Sequence, residues 1–274
     1  MDLITEGKTK RIWQYKANPN NVLIESRDDI TAGDGEKHNI IKDKGKYCNT
    51  ITCNNFKLLD ENGIPNHFLE QFNDNSFLAA KLKMIHLEVI VRRRVAGSYT
   101  QRTGIAEGAY LEQPKIEFNF KCDALHDPLV EWSEERKGFV VYDAHQPRKK
   151  GFLGMLRPLL ASEGLDKNNF ILPKSKQFFL IKHMALGAFH CLEKSWRNLG
   201  GEIWDMKLEF GYDTDEKIML GDVIDNDSWR LKIDGEEMSK QVYRDLPEVT
   251  PEGLEIVRQK YQKIAELSEL LKNY

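Results

Sequence analysis

Between Glu202 and Leu231 apolar and polar residues alternate with the two-residue period of a β-strand. Trp204, Met206, Leu208 and Phe210 are expected on one sheet face, and Asp205, Lys207 and Glu209 on the other. A polar stretch from Tyr212 to Lys217 interrupts the pattern, and a second apolar run, Ile218 to Ile224, carries Asp222. A turn centred between Asp215 and Glu216 sets Glu209 directly opposite Asp222, with Cβ atoms about 4.5–5.5 Å apart. Like charges so placed repel. A divalent cation bridging them removes that penalty, and hard oxygen ligands favour Mg²⁺. A register slip of two residues keeps both carboxylates on one face, whereas a slip of one separates them. Acidic residues on a hairpin usually form only its solvated face. Here they sit inside long apolar runs, Lys207 shares their face, and Asp227-Ser228-Trp229-Arg230 follows at once. Such a surface suits a nucleoside triphosphate with its metal.

The rest of the chain divides by period. Strands are expected over Glu6–Tyr15 and Val22–Arg27, joined by a polar turn, and again over Phe77–Lys83 and Leu87–Val95. Thr31 to Gly35 reads as a glycine-bearing loop. A helix is expected over Cys48–Glu61, stopped by Asn62-Gly63 and Pro65. From Gln177 to Leu199 the spacing becomes helical, with Phe178, Ile181, Ala185, Ala188, Leu192, Trp196 and Leu199 near one stripe. A last helix, Pro251–Leu271, starts after the N-cap residue Thr250. The predicted class is α+β. A boundary near Met84–His86 divides a β-rich N-terminal lobe, residues 1–84, from a larger lobe, residues 85–274.

At 274 residues the chain can bury a substantial core. A net charge of −3 argues against general nucleic-acid binding. No apolar run approaches the roughly 20 residues of a membrane span, and Met1-Asp2-Leu3 leads straight into charged residues, so no signal-peptide core is expected. The four cysteines, Cys48, Cys53, Cys122 and Cys191, show no Cys-x-x-Cys spacing. They read as reduced thiols of a cytoplasmic protein.

Three further clusters carry chemistry. In Glu6-Gly7-Lys8-Thr9-Lys10 the two lysines are expected on one strand face, where paired ammoniums hold phosphate oxygens. In Val91-Arg92-Arg93-Arg94-Val95-Ala96-Gly97-Ser98 a strand ends in a small-residue turn, with Arg92 and Arg94 on one face. Guanidinium groups grip phosphate or carboxylate bidentately, and the Gly-Ser turn adds donors. The run Lys121-Cys122-Asp123-Ala124-Leu125-His126-Asp127-Pro128 mixes acid and base; His126 lacks partners at metal-ligand spacing and reads as incidental. His183 and His190, on the long helix, read as packing and solvent contacts.

In order along the chain, EGKTK, ITAGDG, VRRRVAGS, the run from Lys121, DMKLEFG, LGDVIDNDSWRL and YRDLPEVTPEGL resemble the phosphoribosylaminoimidazole-succinocarboxamide synthase (SAICAR synthetase) family. The last three most resemble the synthetase half of the animal bifunctional enzyme, and the stretch from Lys137 to Lys176 departs from the pattern. The resemblance implies an ATP-grasp-like arrangement of two lobes built on antiparallel sheets, with nucleotide in the cleft between them. It implies ligation of L-aspartate to carboxyaminoimidazole ribonucleotide (CAIR), driven by ATP and Mg²⁺. On that basis Lys8 and Lys10 hold the ATP phosphates, and adenine lies near Lys83 and Met84. Glu209 and Asp222 hold the metal. Arg92, Ser98 and Arg230 grip CAIR, and Lys207 neutralises the oxygens in flight. Lys121 and Asp205 join Lys207 as catalytic residues of the same cleft, and Asp123, Asp227 and Ser228 bind substrate there, as does Asp34, where other family members can carry Asn. Homo-oligomerisation stays open. The residues themselves also fit a kinase-like small-molecule phosphotransferase, although no His-Arg-Asp or Asp-Phe-Gly block occurs. A nucleotide- or RNA-binding module built on the arginine patch is the third reading.

Overall fold

The computed structural model describes residues 1–271 and every side chain among them except that of Asp34, so the expectation for Asp34 lies outside the described side chains. Alternating patterns in the first eighty residues give β1 (Asp2–Glu6), β2 (Lys10–Gln14) and β3 (Asn21–Ser26). A short hairpin follows, β4 (Asp29–Ala32) and β5 (Lys37–Ile40), then α1 (Lys44–Glu61), β6 (Phe68–Asn73) and β7 (Ser76–Ala80). The first sheet has the order β1-β2-β3-β7-β6. The single strand expected over Glu6–Tyr15 is broken at Gly7, whose N–H donates to the Lys10 carbonyl at 2.8 Å and closes a turn. Lys8 is therefore a turn residue, and strand alternation does not tie its direction to that of Lys10.

The second sheet holds nine strands, and every pairing within it is antiparallel. Its chain runs through β8 (Lys83–Arg94), α2 (Ser98–Thr103), β9 (Tyr110–Phe120), β10 (Leu129–Ser133) and β11 (Gly138–Tyr142). It continues with α3 (Arg148–Gly151), β12 (Phe152–Met155), α4 (Leu156–Ser162) and α5 (Ser175–Arg197). Next come β13 (Gly201–Tyr212), β14 (Ile218–Gly221), β15 (Trp229–Ile233), β16 (Glu236–Glu237), α6 (Gln241–Arg244) and α7 (Pro251–Ser268). β8 and β13 pair at the centre of this sheet.

One apolar core joins the two sheets: Ile24 and Phe77 from the first, Val89 and Phe210 from the second, Ile51 and Phe56 of α1, and Ile181, Leu192 and Trp196 of α5. The apolar stripe of α5 is buried as its spacing requires, and Gly200, with φ of 77°, follows the helix end. Thr250 caps α7, its hydroxyl accepting the Gly253 N–H at 3.1 Å. α1 lies so close to β3 that a Cβ on Gly45 would meet the Ser26 carbonyl oxygen at 2.6 Å.

Three register details depart from simple alternation. The pairing of β13 with β15 shifts between Ile203 and Asp205. Trp204 is the extra residue of that bulge. Ile203 takes the core position expected of Trp204, which is half-exposed with Lys232 over its ring. The pairing of β8 with β9 also shifts, between Arg92 and Arg94. Arg92 is buried, while Arg94 turns to Glu202 at 2.5 Å and to the rings of Tyr110 and Trp204, so the two do not share a site. Finally, Glu209 pairs with Gly221, not Asp222, one residue off the expected register.

Candidate active site

β8 and β13 run side by side and carry Arg92, Glu88, Asp205, Lys207 and Glu209 to the walls of two cavities. The larger, about 910 Å³, is polar. It is lined by Arg92, Ser98, Asp205, Lys207 and Arg230, with Asn119, Asp123, His126 and Asp127 from β9 and the loop after it. Lys8, His145, Gln241 and Arg244 also line it. The smaller, about 340 Å³, is mostly apolar, with Ile12, Val22, Ile24, Leu82 and Met84 on its walls. It also receives Lys10, Lys121, Glu209 and Asp222. Lys207 and Glu209, two residues apart on one face of β13, line the larger and the smaller cavity respectively, so the cavities adjoin along that strand.

A one-residue slip in a regular ladder would aim the Glu209 and Asp222 carboxylates to opposite sides. Asp222 escapes that rule because β14 has ended: it follows Gly221 and sits in the left-handed region at φ 58°. That kink returns its carboxylate to Glu209's side. Lys10 Nζ donates to Asp222 Oδ1, and Lys121 Nζ donates to both Glu209 oxygens at 2.6 Å. Burial and the neighbouring Asp222 charge hold the Glu209 carboxyl above its usual range, outweighing Lys121 and Lys10. Burial also raises Asp222, but the Lys10 ammonium outweighs it and leaves Asp222 low. Two half-buried carboxylates close enough to perturb one another, each paired with a lysine on the wall of the apolar cavity, form a donor set that fits a hard divalent cation.

The polar cavity is organised around Asp205. Its Oδ2 accepts Arg92 Nη1 and Arg230 Nη1, each at 2.6 Å. Arg92 Nε donates to Glu117 Oε2 at 2.9 Å, and Arg102 Nη2 to Glu117 Oε1 at 2.5 Å. Arg102 in turn donates to the Ala144 carbonyl, just before His145 on the cavity wall. Three guanidiniums against two carboxylates leave one positive charge in excess, in surroundings where Arg92 is only 3 % exposed. Such a wall takes an anion. Gly97, at φ 59°, lies against Arg230, with Nη2 2.8 Å from where a Cβ would sit. Only a residue without a side chain fits there.

Several expectations change. Lys8 lines the polar cavity and Lys10 the apolar one. Lys207 is paired with Glu88 at 2.8 Å on the wall of the polar cavity, and the lysines bonded to the carboxylate pair are Lys10 and Lys121. Asp205 holds two arginines, a positioning task. Lys83 is exposed; Lys81, Leu82 and Met84 form that part of the apolar wall. Ser98, Asp123 and Arg230 line the polar cavity. His126 lines it too.

Asp227 and Ser228 line neither cavity, because both are consumed by local structure. Asp227 accepts Lys44 Nζ at 3.1 Å and the Tyr261 hydroxyl, joining α1 to α7. The Ser228 hydroxyl donates to Asp225 Oδ1 at 3.1 Å. Cys48, Asp225 and Asp227 bring ligand atoms within 4.8 Å of one another, yet the Lys44 ammonium, 3.5 Å from Cys48 Sγ, already supplies the cation there. Sequence reasoning also missed Glu88, Glu117 and Arg102. Each is recognisable only through the partner it neutralises, 119, 25 and 15 residues away.

Two antiparallel sheets flanked by helices, carrying a cationic cavity beside an apolar one with a carboxylate–lysine cluster on its wall, define an α+β protein. The chain belongs to the SAICAR synthetase family, whose model matches residues 3–146 and 163–260. The internal gap in that match, residues 147–162, falls inside the stretch expected to depart from the family and is shorter than Lys137–Lys176. A phosphoribosylaminoimidazole-succinocarboxamide synthase from Roseiflexus is 33 % identical over 97 % of the chain and 96 % of its own length. The human bifunctional carboxylase/succinocarboxamide synthetase is 38 % identical over 97 % of the chain, which spans 58 % of that relative; for the purC/E protein of Dictyostelium discoideum the share is 22 %. A crystal structure of the synthase from Ehrlichia chaffeensis superposes with a TM-score of 0.77 at 29 % identity, over 99 % of this chain and 100 % of that one. A SAICAR synthetase in complex with ADP gives 0.74 at 27 % identity, over 96 % and 98 %.

Proposed function

We propose that the protein joins L-aspartate to the carboxylate of CAIR, consuming ATP and releasing SAICAR, ADP and phosphate. The observation that carries this reading is the placement of the Glu209–Asp222 pair, with Lys10 and Lys121, alongside both an apolar cavity and an anion-binding one. The family relationship and the relative solved with ADP support it.

In this reading adenosine occupies the apolar cavity against Leu82 and Met84, and its phosphates extend towards Lys10. Glu209 and Asp222 would hold Mg²⁺, which when bound neutralises phosphate charge. Arg92, Arg230 and Ser98 grip the phosphate and carboxylate of CAIR. A carboxylate oxygen attacks the γ-phosphorus, ADP leaves, and an acyl phosphate forms. The aspartate amine then attacks the acyl carbon, and phosphate departs with the oxygen that carried it. Lys207 and Lys8, facing the polar cavity, stabilise the oxygens being transferred, and Glu88 holds Lys207 in place. Asp123 contributes to substrate binding in the same cavity, and residues 1–84 and 85–274 act as two lobes around these sites. No helix among the described residues is long and apolar enough to cross a membrane. We place the reaction in the cytoplasm, with small molecules rather than nucleic acid as partners.

A coupled assay for ADP release, omitting each substrate in turn, tests the reading. ADP is expected only when CAIR and aspartate are both supplied. Release with a hydroxyl acceptor and no aspartate would favour a phosphotransferase.

A further inference from the structure

His67 belongs to none of the motifs read from the sequence, yet it is 3 % exposed and lines the apolar cavity. Its Nε2 lies 2.9 Å from the carbonyl oxygen of Asp222. A carbonyl only accepts, so Nε2 carries the hydrogen. The surrounding backbone fixes the rest of the residue. His67 N–H donates to the Leu220 carbonyl at 3.0 Å, Ala80 N–H donates to the His67 carbonyl at 2.8 Å, and Leu220 N–H donates to Pro65 at 3.0 Å. The ring packs edge-on against Phe56 and Phe77, with centroids 5.3 and 5.7 Å away. Burial holds the imidazole neutral, its pKa lowered to about 4.

Asp222 needs such a restraint. It is an aspartate in the left-handed region, one residue out of register with Glu209, and the ladder that would fix its direction ends at Gly221. A non-glycine residue in that conformation is held by its surroundings. We propose that His67 is a positioning residue for the carboxylate pair: its Nε2–H anchors the Asp222 carbonyl and thereby keeps the Asp222 carboxylate aimed beside Glu209. The inference rests on the reading of that pair as the metal site and names a residue outside the pair that sets its geometry.

The test compares His67→Phe, which keeps the ring and loses the donor, with His67→Gln, whose amide can donate to the same carbonyl. Binding of Mn²⁺ to the folded protein is followed by electron paramagnetic resonance, without substrates, beside KM for CAIR and for ATP. His67→Phe is expected to weaken Mn²⁺ binding about tenfold, a difference of about 1.4 kcal/mol. It should raise KM for ATP and leave KM for CAIR within twofold, and His67→Gln should recover most of the loss. Unchanged Mn²⁺ binding in His67→Phe, equal losses for CAIR and ATP, or a glutamine variant no better than phenylalanine would overturn the proposal. If His67→Phe does not fold, His67→Asn takes its place, since its shorter amide falls short of the carbonyl. A parent protein that binds Mn²⁺ through this clamp yet makes no SAICAR would overturn the ligase reading and leave the clamp standing.

Discussion

Lys8 and Lys10, two residues apart, serve different cavities: Lys8 the polar one, Lys10 the apolar one beside Asp222. The turn closed by Gly7 and Lys10 breaks the strand between them. Alternation would have put both ammoniums on one face; the fold instead sends them to two cavities. Lys10→Ala is expected to raise the ATP requirement roughly tenfold, the loss of one charge-assisted contact. Lys8→Ala is expected to lower kcat with a smaller change in ADP affinity. Isothermal titration with ADP and steady-state kinetics separate the two, and equal losses of ADP affinity would contradict the division.

Arg92 has a geometric task that charge alone does not meet. Its Nε and Nη1 reach Glu117 and Asp205 from one planar group. Arg92→Lys preserves the charge but cannot make both bonds while facing the cavity. KM for CAIR should rise at least tenfold and KM for ATP stay within twofold. A parallel rise in both would remove Arg92 from the CAIR pocket.

Glu209→Gln removes one charge from the carboxylate pair and leaves the shape intact. The Mg²⁺ concentration for half-maximal rate is expected to increase at least tenfold, with KM for CAIR little changed. An unaltered Mg²⁺ profile would rule out Glu209 as a ligand.

The hairpin from β13 to β14 was legible in the sequence because its period is strong, and so was the stripe of α5. Register was not. A turn can be placed only to within a residue, and one residue is enough to displace Asp222 from Glu209 in a regular ladder. The recovered geometry depends on a left-handed Asp222, to which alternation is blind. The Trp204 bulge has the same origin. Asp227 and Ser228 were misplaced for a different reason: proximity in sequence to Arg230 suggested a shared site, whereas Asp227 is drawn to Lys44 and Tyr261 on distant helices.

That buried network carries stability. Lys44 is only 1 % exposed, and its removal leaves the Asp227 charge short of its principal partner. Lys44→Met is expected to cost about 3 kcal/mol, lowering Tm by roughly 6–9 °C, without a selective effect on either KM. Burial raises the Asp227 carboxyl, but Lys44 and Lys240 outweigh it and hold it well below the usual range. The sign follows. This contribution is fully present above the unfolded value of about 3.9 and is lost as pH falls through the lower folded value. Denaturant unfolding at pH 7 and below pH 4 checks it; an Asp227→Asn variant should lack that acid-sensitive component, and an identical acid dependence would contradict the assignment.

The proposed transfer of a phosphoryl group from ATP in the apolar cavity to a carboxylate in the polar one is tested most directly with isotope. CAIR labelled with ¹⁸O in its carboxylate, turned over with ATP and aspartate, should yield inorganic phosphate carrying one labelled oxygen per molecule. Phosphate free of label would mean that no carboxylate oxygen is ever joined to phosphorus, and the proposed chemistry would not stand.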